Sequence, residues 1–305
     1  MGGGANPISM DNLTLILTAI FMGALARILV LKEDYRQYPS YPNGYMIHIL
    51  IGLIASTLGA VLVPALMASN WVAVTFLTLA IQQFRDVRKM EKESLKELEN
   101  TEFTPRGDAY IDGIAKTFEA RNYFALVVSV CTAIAMNMFK PQMLVLDILL
   151  GVLAGFSVFF ILKRFSKGKN VGQIAEVKEG KIEIKGSELY VDGIFISNLL
   201  GTENAQKMLM EAGMAIVIEP NEEHYRITLD NFGQRKAMLF EATRSVGVKR
   251  YHFTRKDFES GKTVIALVPL IHDLDKFIYS VKNTPLLESV KKSHALMDSS
   301  VFTKE

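Results

Sequence analysis

Met143-Leu144-Val145-Leu146-Asp147-Ile148-Leu149-Leu150-Gly151-Val152-Leu153-Ala154-Gly155-Phe156-Ser157-Val158-Phe159-Phe160-Ile161-Leu162 holds one charge in 20 residues, and Lys163-Arg164-Phe165-Ser166-Lys167-Gly168-Lys169 closes it. A helix needs about 20 mostly apolar residues to cross the hydrocarbon core of a bilayer. This run meets that length, and the basic cluster behind it marks a cytoplasmic end. No later run is long enough to cross, and from Lys163 onward charges of both signs are interspersed. The break therefore divides the 305 residues into a polytopic membrane domain, 1–168, and a water-soluble domain, 169–305.

Upstream, four more runs resemble spans: Leu13–Leu31, Tyr45–Val63, Pro64–Gln83 and Tyr123–Phe139. Ser69 and Asn70 interrupt the third, and Gln82-Gln83 close it; a re-entrant pair around Pro64 is the rival reading. The segment before Leu13 has no Lys or Arg, so it lacks the basic region of a cleavable signal peptide, and the first run reads as a retained span. Orientation follows the basic residues. The insertion 84–122 carries eight of them: Arg85, Arg88, Lys89, Lys92, Lys96, Arg106, Lys116 and Arg121. Lys32 and Arg36 lie between spans one and two, whereas the N-terminal tail and 65–71 have none. Five crossings with the N-terminus outside put every basic cluster, and the C-terminal domain, in the cytoplasm of a multi-pass cell-membrane protein.

Composition narrows the functions. The mean hydropathy of +0.21 is high for a soluble chain of this size. The net charge of +2 argues against nucleic acid as a partner. The single cysteine, Cys131, excludes an intramolecular disulfide and a cysteine-cluster metal site. No cofactor or metal is called for. Partners are membrane lipid and a protein, bound either as partner or as substrate.

Small residues recur at four-residue spacing in Gly151/Gly155, Gly52/Ser56/Ala60 and Ala19/Gly23, the last leading to Arg27. Such ridges let helix backbones approach closely. Charges within spans are costly, at roughly 2.5–3.5 kcal/mol on insertion scales. Arg27 is near the cytoplasmic end, from which it can snorkel; Asp147 is a turn inside the opposite boundary.

In the insertion, Phe84–Glu102 reads as the third helix continuing into water. Thr104-Pro105-Arg106-Gly107 breaks it, and Asp108 is expected to cap a new helix running into span four. Tyr110, Ile114 and Phe118 form an apolar stripe, which predicts an amphipathic helix along the membrane surface. Tyr110-Ile111-Asp112-Gly113-Ile114-Ala115 followed by Phe118-Glu119-Ala120-Arg121-Asn122-Tyr123 resembles the signature of the YIEGIA family, integral membrane proteins of endospore-forming Firmicutes. Asp34-Tyr35-Arg36-Gln37-Tyr38-Pro39 and Arg85-Asp86-Val87-Arg88 add to the likeness. Asp112 stands where the family name has Glu, keeping the charge with one methylene less. The resemblance implies a sporulation-associated membrane protein and brings no catalytic mechanism with it.

The soluble domain reads as α+β. Strands are expected at Lys181–Ile184, Glu188–Val191 and Ile194–Ser197, with Asp192-Gly193 a type I′ turn. Thr202–Ala212 is a helix, Ala215–Glu219 and Tyr225–Leu229 a second hairpin, and Phe232–Val246 a helix ending at Gly247. Strands at Lys249–Phe253 and Thr263–Leu270 precede helices at Leu274–Lys282 and Leu286–Leu296. Ser260-Gly261-Lys262-Thr263 has Lys256 where a phosphate loop needs glycine, and it precedes a strand. His272-Asp273-Leu274-Asp275 reads as a helix cap rather than a metal site. Arg235, Lys236, Arg244, Lys249, Arg250, Arg255 and Lys256 make one basic region, solvated or membrane-facing.

Two functions fit these readings. One is a scaffold or regulator acting through the cytoplasmic domain. The other is a membrane-embedded aspartyl-type protease, which needs two carboxylates sharing a proton. Its candidates at the cytoplasmic face are Asp108, Asp112, Asp34 and Asp86, with Glu119 beside the first two; Asp147, near the opposite face, joins them only if the bundle contains a deep cavity.

Overall fold

The computed structural model describes residues 10–34, 42–139, 143–166 and 168–287. Five long helices come first: α1 (Met10–Asp34), α2 (Pro42–Met67), α3 (Trp71–Glu99), α4 (Asp108–Phe139) and α5 (Leu144–Phe165). Then follow β1 (Ala175–Glu179), β2 (Ile182–Lys185), β3 (Glu188–Val191), β4 (Ile194–Ser197), α6 (Glu203–Ala212), β5 (Met214–Pro220), α7 (Tyr225–Asp230), α8 (Phe232–Val246), β6 (His252–Lys256), β7 (Thr263–Leu267) and α9 (Leu274–Lys282). The chain divides into two compact units, Met1–Glu93 with Ile114–Lys167, and Ser94–Gly113 with Gly168–Glu305. Both inner boundaries fall within helices, α3 and α4.

The first unit is helical. Four of its helices, at Asn12–Leu31, Tyr45–Met67, Asp108–Phe139 and Leu144–Phe165, are long and apolar enough to cross a membrane. α3 is not among them, since its apolar part gives way to charge after Ile81. The expected break at Pro64 is also displaced. Pro64 lies inside α2, and the chain turns at Ala68–Asn70 instead. Ser69 adopts φ 50°, and the Asn70 side chain accepts the Ala73 N–H at 3.1 Å, capping α3. A proline withholds one backbone bond but does not end a helix whose neighbours hold it.

The small-residue ridges are the contact lines of this unit. On α5 only Gly151, Gly155 and Phe159 are buried, three residues at four-residue spacing, while Val145, Leu149, Leu153 and Phe160 face outward. Gly151 lies against Met136 and Thr18, and Gly155 against Met22 and Thr132. Gly23 on α1 meets Ser56 on α2 and the Ala125 carbonyl on α4. Ser129 on α4 donates to the Ser56 carbonyl at 2.7 Å, satisfying a buried hydroxyl.

The second unit is built on an antiparallel sheet of order β1-β5-β7-β6. Alternation along its strands serves two cores. Ile216, Ile218, Ile265 and Leu267 face Met238, Ala242, Phe277 and Val281 of α8 and α9. Ala215, Val217, Val264 and Ala266 face Leu189, Val191 and Ile196 of the β2-β3-β4 meander and Leu209 of α6. Asp192 (φ 50°) and Gly193 (φ 79°) form the left-handed pair that joins β3 to β4. Thr202 caps α6 and Asp273 caps α9, the latter accepting the Lys276 N–H at 2.8 Å.

Three expectations change here. Tyr225–Leu229 is helix α7 rather than a strand, because β5 is already paired with β1 on one side and β7 on the other. β6 begins at His252, three residues later than expected, and β7 ends at Leu267. The helix expected at Leu286–Leu296 lies largely outside the described residues.

Candidate functional site

The front of the Tyr110–Ala115 segment belongs to the second unit. Gly107, at φ 87°, starts α4: its carbonyl accepts the N–H groups of Tyr110 and Ile111, and its own N–H goes to Glu99 Oε1 at 2.5 Å. Asp108 is thus in the first turn rather than at the cap, and its carboxylate meets Lys96 Nζ at 2.8 Å. That hydrogen bond and charge raise the Lys96 pKa. Tyr110 is 3 % exposed, and its hydroxyl donates a short hydrogen bond to the carboxylate of Glu241 on α8, itself 8 % exposed. The Tyr110 ring meets Phe240 edge-on at 6.2 Å. On the other side of this contact Arg106 lies over Phe240 at 4.8 Å and donates to Glu102 at 2.9 Å. Ala109 packs against Gly233. The tip between α3 and α4 is therefore fastened to α8 through an aromatic, a buried carboxylate and a stacked guanidinium. A charge-assisted bond of this kind between buried groups is stronger than a neutral one.

The same tip touches β6, where Phe103 meets His252 edge-on at 5.3 Å. Burial lowers the His252 pKa. The unfolded chain therefore takes up a proton at higher pH than the folded one. The contribution of this neutral histidine is complete above about pH 6.5, the unfolded value. It is lost as pH falls from there toward the lowered folded value. Replacing His252 by Asn is expected to flatten the pH dependence of unfolding in that window, measured by denaturant titration across pH 4–8.

The rest of the segment belongs to the first unit. Ile114, Ala115 and Phe118 are buried, so the stripe expected to lie along a membrane surface is enclosed in protein instead. Arg27, expected to snorkel, is 1 % exposed; its Nε donates to Asn122 Oδ1 at 3.2 Å and its guanidinium lies 5.5 Å from the Phe118 ring centre. His48 meets the same ring edge-on at 4.8 Å. Gly52 makes room for the Arg27 stem, since a Cβ there would overlap it. Glu119 pairs with Arg88 at 3.3 Å. A buried polar cluster, Arg27–His48–Phe118–Asn122, thus crosses α1, α2 and α4.

The five candidate carboxylates belong to four helices, α1, α3, α4 and α5. Asp34 ends α1, and its side chain lies outside the described residues. Asp86 is exposed on α3, and Asp147 is half-buried in the first turn of α5. Asp108 is 76 % exposed at its side chain and paired with Lys96; Asp112 follows one turn later, half-buried. Asp86 and Asp147 are in the first unit, Asp108 and Asp112 in the second.

A family model described as YIEGIA protein matches residues 15–296 of the chain. The chain belongs to the YIEGIA family. It is 34 % identical over 281 residues to the uncharacterized protein YphB of Bacillus subtilis (strain 168), covering 90 % of this chain and 92 % of that one. No solved structure matches it. The YIEGIA-like segment therefore does two jobs in this family member. Tyr110 and Ile111 pack in the α+β unit, and Ile114, Phe118 and Asn122 in the helical one. For Gly113 the structure offers no steric reason, since a Cβ there would meet nothing within 4 Å.

Two residues of these clusters escape a reading of the sequence alone. Glu241 follows Ala237-Met238-Leu239-Phe240, and α8 is buried all round from Ala237 to Thr243. A carboxylate directly after such an apolar run is the signal that could have found it. His48 is the only ionisable side chain in the apolar run Ile47–Val63.

Proposed function

We propose that the protein is a sporulation-associated integral membrane scaffold or regulator that acts through its α+β domain. In this reading the N-terminus is outside, the chain crosses five times, and the α+β domain is cytoplasmic. α3 supplies the crossing that hydropathy alone omits. Trp71, Val72, Phe76 and Leu79 are outward on it. Its 71–84 stretch is about 21 Å long at 1.5 Å per residue. That is short of the roughly 30 Å core, so Arg85 would snorkel to headgroups. The distribution of basic residues supports the orientation, and the YIEGIA resemblance supports the link to sporulation.

The observation that carries the scaffold reading is the Tyr110–Glu241 hydrogen bond. It gives the leading residue of the family segment a fastening role, with no substrate-facing role required. In the same helix, Asp108 is committed to an exposed ion pair. Amide substitutions at Asp34, Asp86, Asp108, Asp112 and Asp147, each tested singly in the spore-forming host, are expected to leave spore yield near the parental value. Deleting 172–305 should abolish function. Loss of spore yield from one amide substitution, at normal protein abundance and membrane insertion, would establish the aspartyl protease in its place.

A further inference from the structure

We infer that the first turns of α8 form a docking patch for an anionic lipid surface, made by Phe232, Arg235 and Lys236. Phe232 is 65 % exposed, although it opens a helix that is buried from Ala237 to Thr243. Lys236 Nζ lies 4.8 Å and the Arg235 guanidinium 5.9 Å from the Phe232 ring centre. Among the described residues no carboxylate pairs with either cation, and no acidic residue stands in the first turn of α8. An apolar ring flanked by unneutralised cations is what an anionic headgroup layer recognises: the ring enters below the phosphates and the cations stay among them.

A second exposed aromatic in this unit shows the contrast. Phe258 also carries a cation, Lys256 at 4.4 Å, but Lys256 is paired with Asp230 and the adjacent Arg226 with Glu223. That hairpin is electrically closed, while the start of α8 is open.

Chain connectivity points to lipid rather than to a soluble acidic partner. Gly233 packs on Ala109, and Gly107 on the Lys236 stem. Ala109 is five residues, about 7 Å of helix, before Ile114, where α4 joins the helical unit. Gln234, beside Phe232, bonds the Pro285 carbonyl and the Leu287 N–H, and Leu286 bonds the carbonyl of Lys169, four residues past the end of α5. The patch thus adjoins both segments that lead into α4 and out of α5.

This inference rests on the membrane reading, and the test separates the two. The chain has a single tryptophan, Trp71, exposed at the start of α3. The full chain is reconstituted in phosphatidylcholine vesicles with brominated acyl chains, with or without phosphatidylglycerol. In the parent, quenching of Trp71 in both vesicles reports membrane insertion alone. In a Trp71→Phe, Phe232→Trp variant, quenching should appear only with phosphatidylglycerol. It should weaken by roughly fivefold in docked fraction for each of Arg235→Gln and Lys236→Gln. Absent quenching at 232 while Trp71 is quenched, or quenching indifferent to headgroup charge, would overturn the patch. An emission shift caused instead by soluble polyglutamate would assign the surface to an acidic protein segment and equally overturn it.

Discussion

Valine at Gly23 is expected to destabilise the helical unit by about 3 kcal/mol, at the upper end of what overpacking costs. A Cβ at this position stands 2.6 Å from both Ser56 Oγ and the Ala125 carbonyl oxygen. The carbonyl belongs to the α4 backbone and cannot swing aside, so α1 must move away from α4. That movement would also strain the Arg27–Asn122 bond one turn further along α1. Gly155→Ala is the informative control. Its added Cβ meets the flexible Met22 Cε at 2.8 Å, and at the same distance Thr132 Oγ1, which donates to the Val128 carbonyl within α4. Its cost should be about 1 kcal/mol or less, because methionine adapts readily to altered packing. Thermal unfolding in detergent, with abundance in cells as a second readout, checks the ranking. Negligible losses from both substitutions would show that these ridges are not the contact lines of the unit.

Much of this bundle was legible from residue spacing. The GxxxG of α5 and the ridges of α1 and α2 are read at four-residue intervals, and those intervals become contacts when the helices form. Span boundaries were less legible. Pro64 looks like a break in a linear reading, yet α2 runs through it and Asn70 sets the real turn. In the α+β unit, local turn chemistry was decisive wherever it was strong: Asp192-Gly193 and Asp273 are in their expected roles, and Thr202, read as the first residue of its helix, is the cap one position before it. Tyr225–Leu229 alternates like a strand and folds as a helix, because pairing is decided by free sheet edges that one segment cannot reveal. Surface stripes were ambiguous in the same way. Tyr110, Ile114 and Phe118 announce a face to be buried, but spacing does not say whether lipid or protein buries it. The candidate carboxylates were chosen by charge and depth along the chain, which carry no information about distance between helices. Arg27 was legible as costly, but its hydrogen bond to Asn122 was not, since Asn122 is 95 residues away in sequence.

Loss of the Tyr110 hydroxyl is the second large effect expected. Tyr110→Phe removes the donor to Glu241 while leaving the ring against Phe240, so the carboxylate stays buried without this bond. Leaving a buried polar group unsatisfied costs about 1–3 kcal/mol, more for a charged one. The loss should be local, loosening α8 and the start of α4 while β2–β4, on the other face of the sheet, keep their protection. Removing both partners restores consistency, since two apolar groups in contact need no hydrogen bond.

The most direct measurement is therefore a double-mutant cycle between Tyr110→Phe and Glu241→Leu in the full-length protein, read by hydrogen exchange of the α8 amides from Ala237 to Val246. Fastening of the family segment to the α+β domain predicts a coupling of about 1 kcal/mol or more, with the double variant less damaged than the sum of the singles. Strictly additive effects would contradict it.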